Sequence, residues 1–240
     1  MGSHNPAVLL AAWSRVESAL MRPLLLGHRG ACGVRSIGEN TFAAFDLAFQ
    51  HGCDGFEFDV RATADEALVV CHDPRFKRKV IAETAAAEFA ELPKLEAVLQ
   101  RYAERAFLDV ELKVPGIESR VLKALAKYPP RRGFVVSSFL PEVLLQLRRL
   151  NLSVPLGLIF NKKSQLSIWK SLPLDYLFPH HSLLKKQWMD EAHDAGEKVV
   201  TWTVNRRQNM LQFAGWGVDG IISDKPELLV STLRSPGRDS

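Results

Sequence analysis

Cysteine is scarce in this sequence. The 240 residues contain three cysteines, Cys32, Cys53 and Cys71, and no two of them form a CxxC pair. An odd number of widely separated cysteines in a chain of this length argues against a disulfide framework. We therefore expect a protein of a reducing compartment.

Long hydrophobic runs are lacking near the start of the chain. The apolar stretch at residues 6–20 is interrupted by the charged Arg15 and Glu17, which argues against both a signal peptide and a membrane span. Residues 1–4 resemble the remnant of an expression tag, and we interpret residues 1–22 as this remnant followed by an N-terminal helix. We expect a cytoplasmic protein without an integral membrane segment, although a signal peptide replaced by the tag would leave no trace.

A strong excess of charge of either sign is also missing. Lys and Arg total 31 against 27 for Asp and Glu, which gives a formal net charge of +4. A nucleic-acid-binding domain usually concentrates its basic residues, whereas here only Arg75, Lys77, Arg78 and Lys79 form a cluster. This basic cluster is either a solvated loop or a patch that attracts phosphate. We expect no nucleic-acid partner, and the sequence leaves the oligomeric state open.

What the chain does contain is a regular alternation of strand and helix patterns. Hydrophobic residues make up 47% and charged residues 24%, as in a globular protein with a sizeable core. Strands are predicted at residues 23–27, 55–60, 106–112, 133–137, 155–159, 176–178, 198–203 and 218–223. Eight strands with intervening helices, undivided by a Pro/Gly/Ser-rich linker, favour one closed (β/α)8 TIM barrel over residues 23–240 rather than an open doubly wound sheet.

Helix signals lie between these strands. Asn40 is the predicted N-cap of a helix that places Phe42, Phe45 and Phe49 on one face and ends before Gly52. Further helices are predicted at residues 95–105, 141–149, 186–195 and 206–214, the last two ending at Gly196 and Gly215.

A short insertion follows the second strand. Residues 63–70 alternate like a strand and predict a local hairpin that returns His72 to the mouth of the barrel. An irregular cap at about residues 73–92 comes next.

Three carboxylates fall at predicted strand ends. Glu57 and Asp59 are two residues apart, so both point to one face of the strand while Phe56 and Phe58 point to the other. With the phenylalanines against the helices, both carboxylates face the barrel lumen, and Glu111 on the next strand can join them. Oxygen ligands suit Mg²⁺ or Ca²⁺ better than zinc.

Histidines and cations lie near the same strand ends. His28 and His72 are candidates for general acid–base catalysis because imidazole titrates near neutral pH. Arg29 and Lys113 can hold phosphate oxygens. The alternative is that Arg29, Arg61 or Lys113 forms ordinary ion pairs with the carboxylates. The sequence shows no Gly-x-Ser-x-Gly elbow, P-loop or dinucleotide fingerprint, so serine hydrolase, NTPase and nicotinamide chemistry lack support.

A series of short motifs extends in order from about Leu24 to Pro226. It comprises His28-Arg29-Gly30, Glu39-Asn40-Thr41, Glu57-Phe58-Asp59-Val60, His72-Asp73, Glu111-Leu112-Lys113, Ser137-Ser138-Phe139, Trp202-Thr203-Val204-Asn205 and the run from Gly217 to Pro226. In these motifs the chain resembles the glycerophosphodiester phosphodiesterases.

This resemblance implies a metal-dependent TIM barrel that hydrolyses glycerophosphodiesters, such as glycerophosphocholine or glycerophosphoethanolamine, to sn-glycerol 3-phosphate and an alcohol. By position it implies that Glu57, Asp59 and Glu111 bind a divalent ion, which would be Mg²⁺ or Ca²⁺, with Mn²⁺ a third candidate. It implies that His28 and His72 are the acid–base pair and that Arg29 and Lys113 contact the phosphate. Trp202 would form a pocket wall, Asn40 would support the site, and Glu39 would be a supporting or additional ligand. The resemblance leaves open which histidine is the acid and whether water or the substrate's 2-hydroxyl is the nucleophile.

The chain departs from the family pattern in two places. Gly38 stands where a proline is usual, and the segment after His72-Asp73 lacks the usual Arg-Thr-Thr signature and forms only a short cap. An open pocket would also suit a lysophospholipase D that acts on lipid-bearing diesters, with the basic cluster in peripheral contact with an anionic lipid surface. A catalytically silent phosphate-binding barrel is the third interpretation, but every main catalytic position is filled.

Overall fold

The computed structural model describes residues 22–34 and 36–234. Its strands are β1 (Leu24–Gly27), β2 (Gly55–Ala62), β3 (Leu68–Val70), β4 (Arg75–Phe76), β5 (Lys79–Val80), β6 (Phe107–Leu112), β7 (Phe134–Ser138), β8 (Leu156–Phe160), β9 (Tyr176–Pro179), β10 (Lys198–Thr201) and β11 (Gly220–Ser223). Eight of them pair in parallel in the order β1-β11-β10-β9-β8-β7-β6-β2, and the pairing of β1 with β2 closes the ring. The predicted (β/α)8 barrel is confirmed, while the predicted tag remnant and N-terminal helix lie outside the described residues.

Helices cover the outside of this barrel. They are α1 (Phe42–Gln50), α2 (Leu95–Tyr102), α3 (Glu118–Lys127), α4 (Pro141–Leu150), α5 (Lys186–Asp194), α6 (Arg207–Trp216) and α7 (Pro226–Leu233). Between β8 and β9 the connection consists of two short 3-10 turns, Lys163–Gln165 and Ile168–Ser171. Within the described ranges, no helix is long and apolar enough to cross a membrane.

The start of α1 differs from the prediction. Thr41, not Asn40, is the N-cap, because its extended backbone (φ −119°, ψ 158°) lets the Thr41 hydroxyl accept a hydrogen bond from the Ala44 N–H. Asn40 has a positive φ of 57°, and its side chain hydrogen-bonds to β2 and not to the start of the helix. Both residue types cap helices well, and a tertiary contact of Asn40, described below, decides between them.

Helix α6 also ends later than predicted. It continues through Gly215 to Trp216 and stops at Gly217, whose φ of 91° is the left-handed conformation that glycine adopts at helix ends. Helix α2 ends earlier than predicted, at Tyr102.

The predicted hairpin after β2 is confirmed. Strand β3 pairs antiparallel with β2, Val60 opposite Val70, and returns the chain to the barrel mouth. The cap that follows contains the small β4–β5 ribbon and two 3-10 turns, Ile81–Glu83 and Ala86–Phe89. Ile81 and Phe89 pack with Val69 into a small apolar core of the cap.

The packing of β2 against α1 fixes which side chains enter the lumen. Phe45 of α1 stacks on Phe56, with ring centroids 4.2 Å apart, and Phe58 joins the same core. Burying one phenylalanine contributes about 1.5–3 kcal/mol, so a one-residue slip of β2 would lose both rings from the core and bury carboxylates there instead. Glu57 and Asp59 consequently point into the barrel, as predicted.

Candidate active site at the C-terminal mouth of the barrel

A cavity of about 250 Å³ opens where the barrel strands end. Six of the predicted polar site residues line it: His28, Arg29, Glu57, His72, Glu111 and Lys113. They come from the turn after β1, from within β2, from the end of β6 and from the segment after β3, so the parallel strand order brings them together. Trp202, which follows β10, lines the apolar side of the cavity.

Glu57, Asp59 and Glu111 form a buried carboxylate cluster. Asp59 lies opposite Glu111 in the parallel pairing of β2 with β6. One oxygen from each of the three carboxylates lies within 4.8 Å of the others. Their exposed fractions are 3%, 0% and 7%. Glu57 Oε1 is fully buried and has no hydrogen-bond partner among the described residues.

The electrostatics of this carboxylate cluster favour a bound cation. Burial, with Asp59 and Glu111 nearby, raises the pKa of Glu57 well above its ordinary value. Burial and Asp59 likewise raise the pKa of Glu111 to about 7. Burial also opposes ionisation of Asp59, but Lys113 and Arg29 hold its pKa below the ordinary value. A hard divalent ion fits this buried all-oxygen donor set and would offset the repulsion.

Two of the three cations named in the ion-pair alternative do reach the carboxylate cluster. Lys113 Nζ lies 3.3 Å from Asp59 and also contacts Glu111. The Arg29 Nε lies 3.4 Å from Asp59. Arg61 instead donates from Nε and Nη2 to the His72 carbonyl, at 2.9 and 2.7 Å. Ion pairs and the carboxylate cluster therefore coexist, and two cations leave three carboxylates incompletely neutralised.

A tight turn after β1 aims Arg29 at the carboxylates. Arg29 has a φ of 49° and its backbone N–H donates to Glu57 at 2.9 Å. Gly30 follows with a φ of 82°, and a Cβ there would lie 2.5 Å from the Ala44 backbone. Only glycine fits this close approach to α1. Glu39, on the outer side, accepts from Arg29 Nη1 at 2.9 Å and so holds the guanidinium over the site.

Each histidine is held at Nδ1 by a carboxylate. His28 Nδ1 lies 2.6 Å from Asp224 Oδ1, and His72 Nδ1 lies 2.8 Å from Asp73 Oδ1. A carboxylate at Nδ1 favours a proton on that nitrogen and leaves Nε2 to exchange protons with a ligand. His28 Nε2 lies 3.8 Å from Glu57, on the side of the carboxylate cluster.

Asp224 is a site residue to which the sequence analysis gave no role. Burial opposes its ionisation, but hydrogen bonds from His28 and Cys32 lower its pKa. Asn205 Nδ2 donates to its second oxygen at 2.6 Å, and the Asp224 N–H donates to Asn205 Oδ1 at 3.0 Å. Both residues belong to the quoted motifs, but their contact with His28 joins segments far apart in the sequence.

Asn40 supports the carboxylate cluster directly. Its Nδ2 donates to Asp59 Oδ2 at 2.7 Å, and the Asp59 N–H donates to Asn40 Oδ1 at 3.3 Å. This contact explains why Asn40 leaves the helix cap to Thr41.

Asp109 is a second residue that sequence reasoning missed. It is fully buried in β6, faces the cavity and accepts a hydrogen bond from Ser137 Oγ at 2.5 Å. Burial raises its pKa well above the ordinary value. The alternation Asp109-Val110-Glu111 could have revealed it, because residues two apart on a strand share a face.

The wall opposite the charged residues is apolar. Trp202 meets Phe139 edge to face at a centroid distance of 5.5 Å, and its indole N–H donates to the Phe178 carbonyl at 2.8 Å. Lys113 Nζ lies 5.5 Å from the Phe139 ring centroid. The cavity thus offers one charged side and one aromatic side.

The basic cluster of the cap is partly neutralised. Lys77 pairs with Glu91 at 2.5 Å, and Lys79 pairs with Glu88. Both glutamates belong to the cap itself, so this segment is closer to an internally paired loop than to a purely cationic patch.

Comparison with known proteins identifies the family of this chain. The model of the glycerophosphoryl diester phosphodiesterase family matches residues 28–120 and 110–228. A glycerophosphodiester phosphodiesterase of Caldanaerobacter subterraneus subsp. tengcongensis is 29% identical over 245 aligned positions, which cover 90% of this chain and 100% of that protein.

Solved structures show the same fold. One is a phosphodiesterase from Oleispira antarctica in complex with the product sn-glycerol-3-phosphate. It has a TM-score of 0.80 at 24% sequence identity, and the match covers 91% of this chain and 99% of that chain. A glycerophosphodiester phosphodiesterase from Parabacteroides distasonis has a TM-score of 0.78 at 24% identity, covering 90% and 99%. Since the family model matches most of its length, the chain belongs to the glycerophosphoryl diester phosphodiesterase family.

Proposed function

We propose that the protein hydrolyses glycerophosphodiesters, such as glycerophosphocholine or glycerophosphoethanolamine, to sn-glycerol 3-phosphate and an alcohol. The observation that carries the proposal is the pairing, in one cavity, of two carboxylate-held histidines with a buried cluster of three carboxylates. Family membership and the product bound by the Oleispira antarctica relative support the same reaction.

Glu57, Asp59 and Glu111 would hold a divalent ion, Mg²⁺ or Ca²⁺, with Mn²⁺ a third candidate. Support comes from their burial, from the raised pKa values of Glu57 and Glu111, and from the unpartnered Oε1 of Glu57. Such an ion would polarise a phosphoryl oxygen and offset the charge that develops during cleavage.

Arg29 and Lys113 would contact the phosphate. Both side chains line the cavity and lie beside Asp59. The guanidinium, held by Glu39, presents its N–H groups in a fixed orientation, which suits phosphate oxygens. Positive charge at this place attracts the anionic diester into a pocket that otherwise carries excess carboxylate.

His28 and His72 would carry out the proton transfers. One imidazole takes a proton from the nucleophile, which is either water or the substrate's 2-hydroxyl, and the other gives a proton to the departing alcohol oxygen. In both, the Nδ1 contact with an aspartate orients the ring and directs Nε2 toward the cavity side. Asp224 is a positioning residue, because it acts through His28 and lies behind it.

The test is a product analysis with glycerophosphocholine, glycerophosphoethanolamine and lysophosphatidylcholine, each with Mg²⁺, Ca²⁺ or Mn²⁺. We expect sn-glycerol 3-phosphate and the free alcohol from the first two substrates. For alanine substitutions of His28 and His72, His51→Ala is the matched control and should turn over the substrates like the wild type. His51 lies at the end of α1, away from the residues that line the cavity. Faster turnover of lysophosphatidylcholine would assign a lysophospholipase D instead, and no turnover with any ion would indicate a silent phosphate-binding barrel.

A further inference from the structure

A second group of ligand-type side chains lies behind His28. His28 Nδ1, Cys32 Sγ and Asp224 Oδ1 approach one another, with distances of 2.6 Å from nitrogen to oxygen, 2.9 Å from sulfur to oxygen and 3.6 Å from sulfur to nitrogen. This thiol–imidazole–carboxylate group is distinct from the all-oxygen cluster. Its donor set is that of a thiophilic cation such as Zn²⁺ and not of Mg²⁺ or Ca²⁺.

The spacing of these atoms is close to that of a tetrahedral zinc site. Zinc bonds of about 2.0–2.3 Å to nitrogen, oxygen and sulfur imply separations between ligand atoms of roughly 3.3–3.6 Å. The 3.6 Å from Cys32 Sγ to His28 Nδ1 already meets this spacing. Asp224 Oδ1 would have to move outward by less than about 1 Å. The two short contacts of Asp224 are hydrogen bonds, and a cation would take the place of their protons.

The surroundings of the thiol–imidazole–carboxylate group hold its carboxylate in place. Asn205 Nδ2 donates to Asp224 Oδ2 at 2.6 Å, and the Gly33 N–H donates to the Asp224 carbonyl at 3.0 Å. Such outer hydrogen bonds orient a metal ligand. All three ligand residues are half-buried, so an ion can reach the group from solvent.

We propose that this thiol–imidazole–carboxylate group is an inhibitory site for a thiophilic divalent cation, with Zn²⁺ as its natural probe. On binding, the Cys32 thiol loses its proton to solvent and its sulfur bonds to the ion. The neutral His28 ring binds through Nδ1, and its remaining proton sits on Nε2. One proton is released per ion bound.

The consequence for turnover rests on the proposed function. With Nδ1 bound and Nε2 carrying the proton, the His28 ring can no longer accept a proton at Nε2. The ring cannot serve as the acid either, because the N–H of a neutral, metal-bound imidazole is a much weaker acid than imidazolium. It also loses the hydrogen bond to Asp224 that orients it. The thiophilic ion therefore stops the reaction even when the carboxylate cluster is saturated with Mg²⁺.

Cobalt(II) titration tests the binding step without reference to activity, because a thiolate–cobalt bond gives a near-ultraviolet charge-transfer band that oxygen ligands do not give. We expect the band in the wild type and its disappearance on addition of Zn²⁺. Cys32→Ser keeps a hydroxyl that can donate to Asp224 but removes the sulfur, so the band should be absent. Cys53→Ser, a substitution of a buried cysteine outside the group, should retain it.

Turnover of glycerophosphocholine in saturating Mg²⁺ tests the inhibition. We expect Zn²⁺ to inhibit the wild type and Cys53→Ser alike, and Cys32→Ser to need at least about tenfold more Zn²⁺. A charge-transfer band in Cys32→Ser, no band in the wild type, or equal Zn²⁺ inhibition of all three proteins would overturn the proposal. If the wild type shows no turnover, the proposed function fails, while the cobalt titration still decides whether the site exists.

Discussion

Replacing Glu111 by glutamine should stabilise the cation-free protein at mildly alkaline pH. Glu111 is 7% exposed, and its carboxylate lies beside that of Asp59. Burial and Asp59 raise its pKa from the ordinary 4.5 to about 7. The folded protein therefore holds this proton more tightly than the unfolded chain does.

The sign and size of the effect follow from proton linkage. An acid whose pKa is higher in the folded state favours folding most at pH values below the unfolded pKa. This contribution is lost as the pH rises from 4.5 through about 7. At about 1.4 kcal/mol per pKa unit, the loss amounts to about 3 kcal/mol once Glu111 is ionised in both states. Glutamine removes this loss, but it also removes the ion pair between residue 111 and Lys113. Lys113 Nζ retains its second partner, Asp59 Oδ1, at 3.3 Å. We therefore expect a net gain of about 1–3 kcal/mol near pH 8 and almost none near pH 5.

Urea unfolding in EDTA at both pH values measures the difference in the free energy of unfolding between Glu111→Gln and the wild type. Titrating groups that the two proteins share contribute equally to both and cancel in this difference. Glu104→Gln is the matched control, because Glu104 is 81% exposed and should change stability by less than about 0.5 kcal/mol. Saturating Mg²⁺ should reverse the order by stabilising the wild type more than Glu111→Gln. A variant no more stable than the wild type near pH 8, or equally stabilised at both pH values, would refute the reasoning.

Three further substitutions test individual contacts of the site. Asn40→Ala removes both hydrogen bonds to Asp59 and should weaken Mg²⁺ or Ca²⁺ binding by about 10–100-fold in a calorimetric titration, so unchanged affinity would contradict a supporting role. Asp224→Asn should lower kcat with KM little changed, because the contact of Asp224 with His28 Nδ1 fixes the orientation and tautomer of the ring; an unchanged kcat, or a change in KM alone, would point to a merely structural contact. Trp202→Ala should raise KM more than it lowers kcat, since the indole lines the apolar wall, and a pure kcat effect would count against that placement.

The barrel and its carboxylate cluster follow from local patterns in the sequence. A strand repeats every two residues, so the phenylalanines around Glu57 settle which way the carboxylate points. Parallel strands end at one face, so Glu111 had to lie near Asp59. These inferences need only neighbouring residues and a correct strand count.

Contacts between distant segments are what the local patterns could not supply. His28 and Asp224 are 196 positions apart, and their hydrogen bond depends on how β11 closes against β1. Asn40 has the chemistry of a helix cap, and only its contact with Asp59 assigns it to the site instead. Asp109 shares the face of Glu111 on β6 but lies two residues before it, deeper in the barrel, and nothing in its immediate sequence marks it as a site residue beyond that shared face.

The central claim is that His28 and His72 cleave a glycerophosphodiester beside a cation held by the carboxylate cluster. Its most direct test is the rate of sn-glycerol 3-phosphate release from glycerophosphocholine by the wild type, His28→Ala and His72→Ala, with Mg²⁺ and with EDTA, on proteins shown by circular dichroism to be folded. We expect each variant to lose at least about 100-fold in rate, and EDTA to silence the wild type until Mg²⁺ is restored. Near-full activity in either histidine variant, or an unchanged rate in EDTA, would contradict the account.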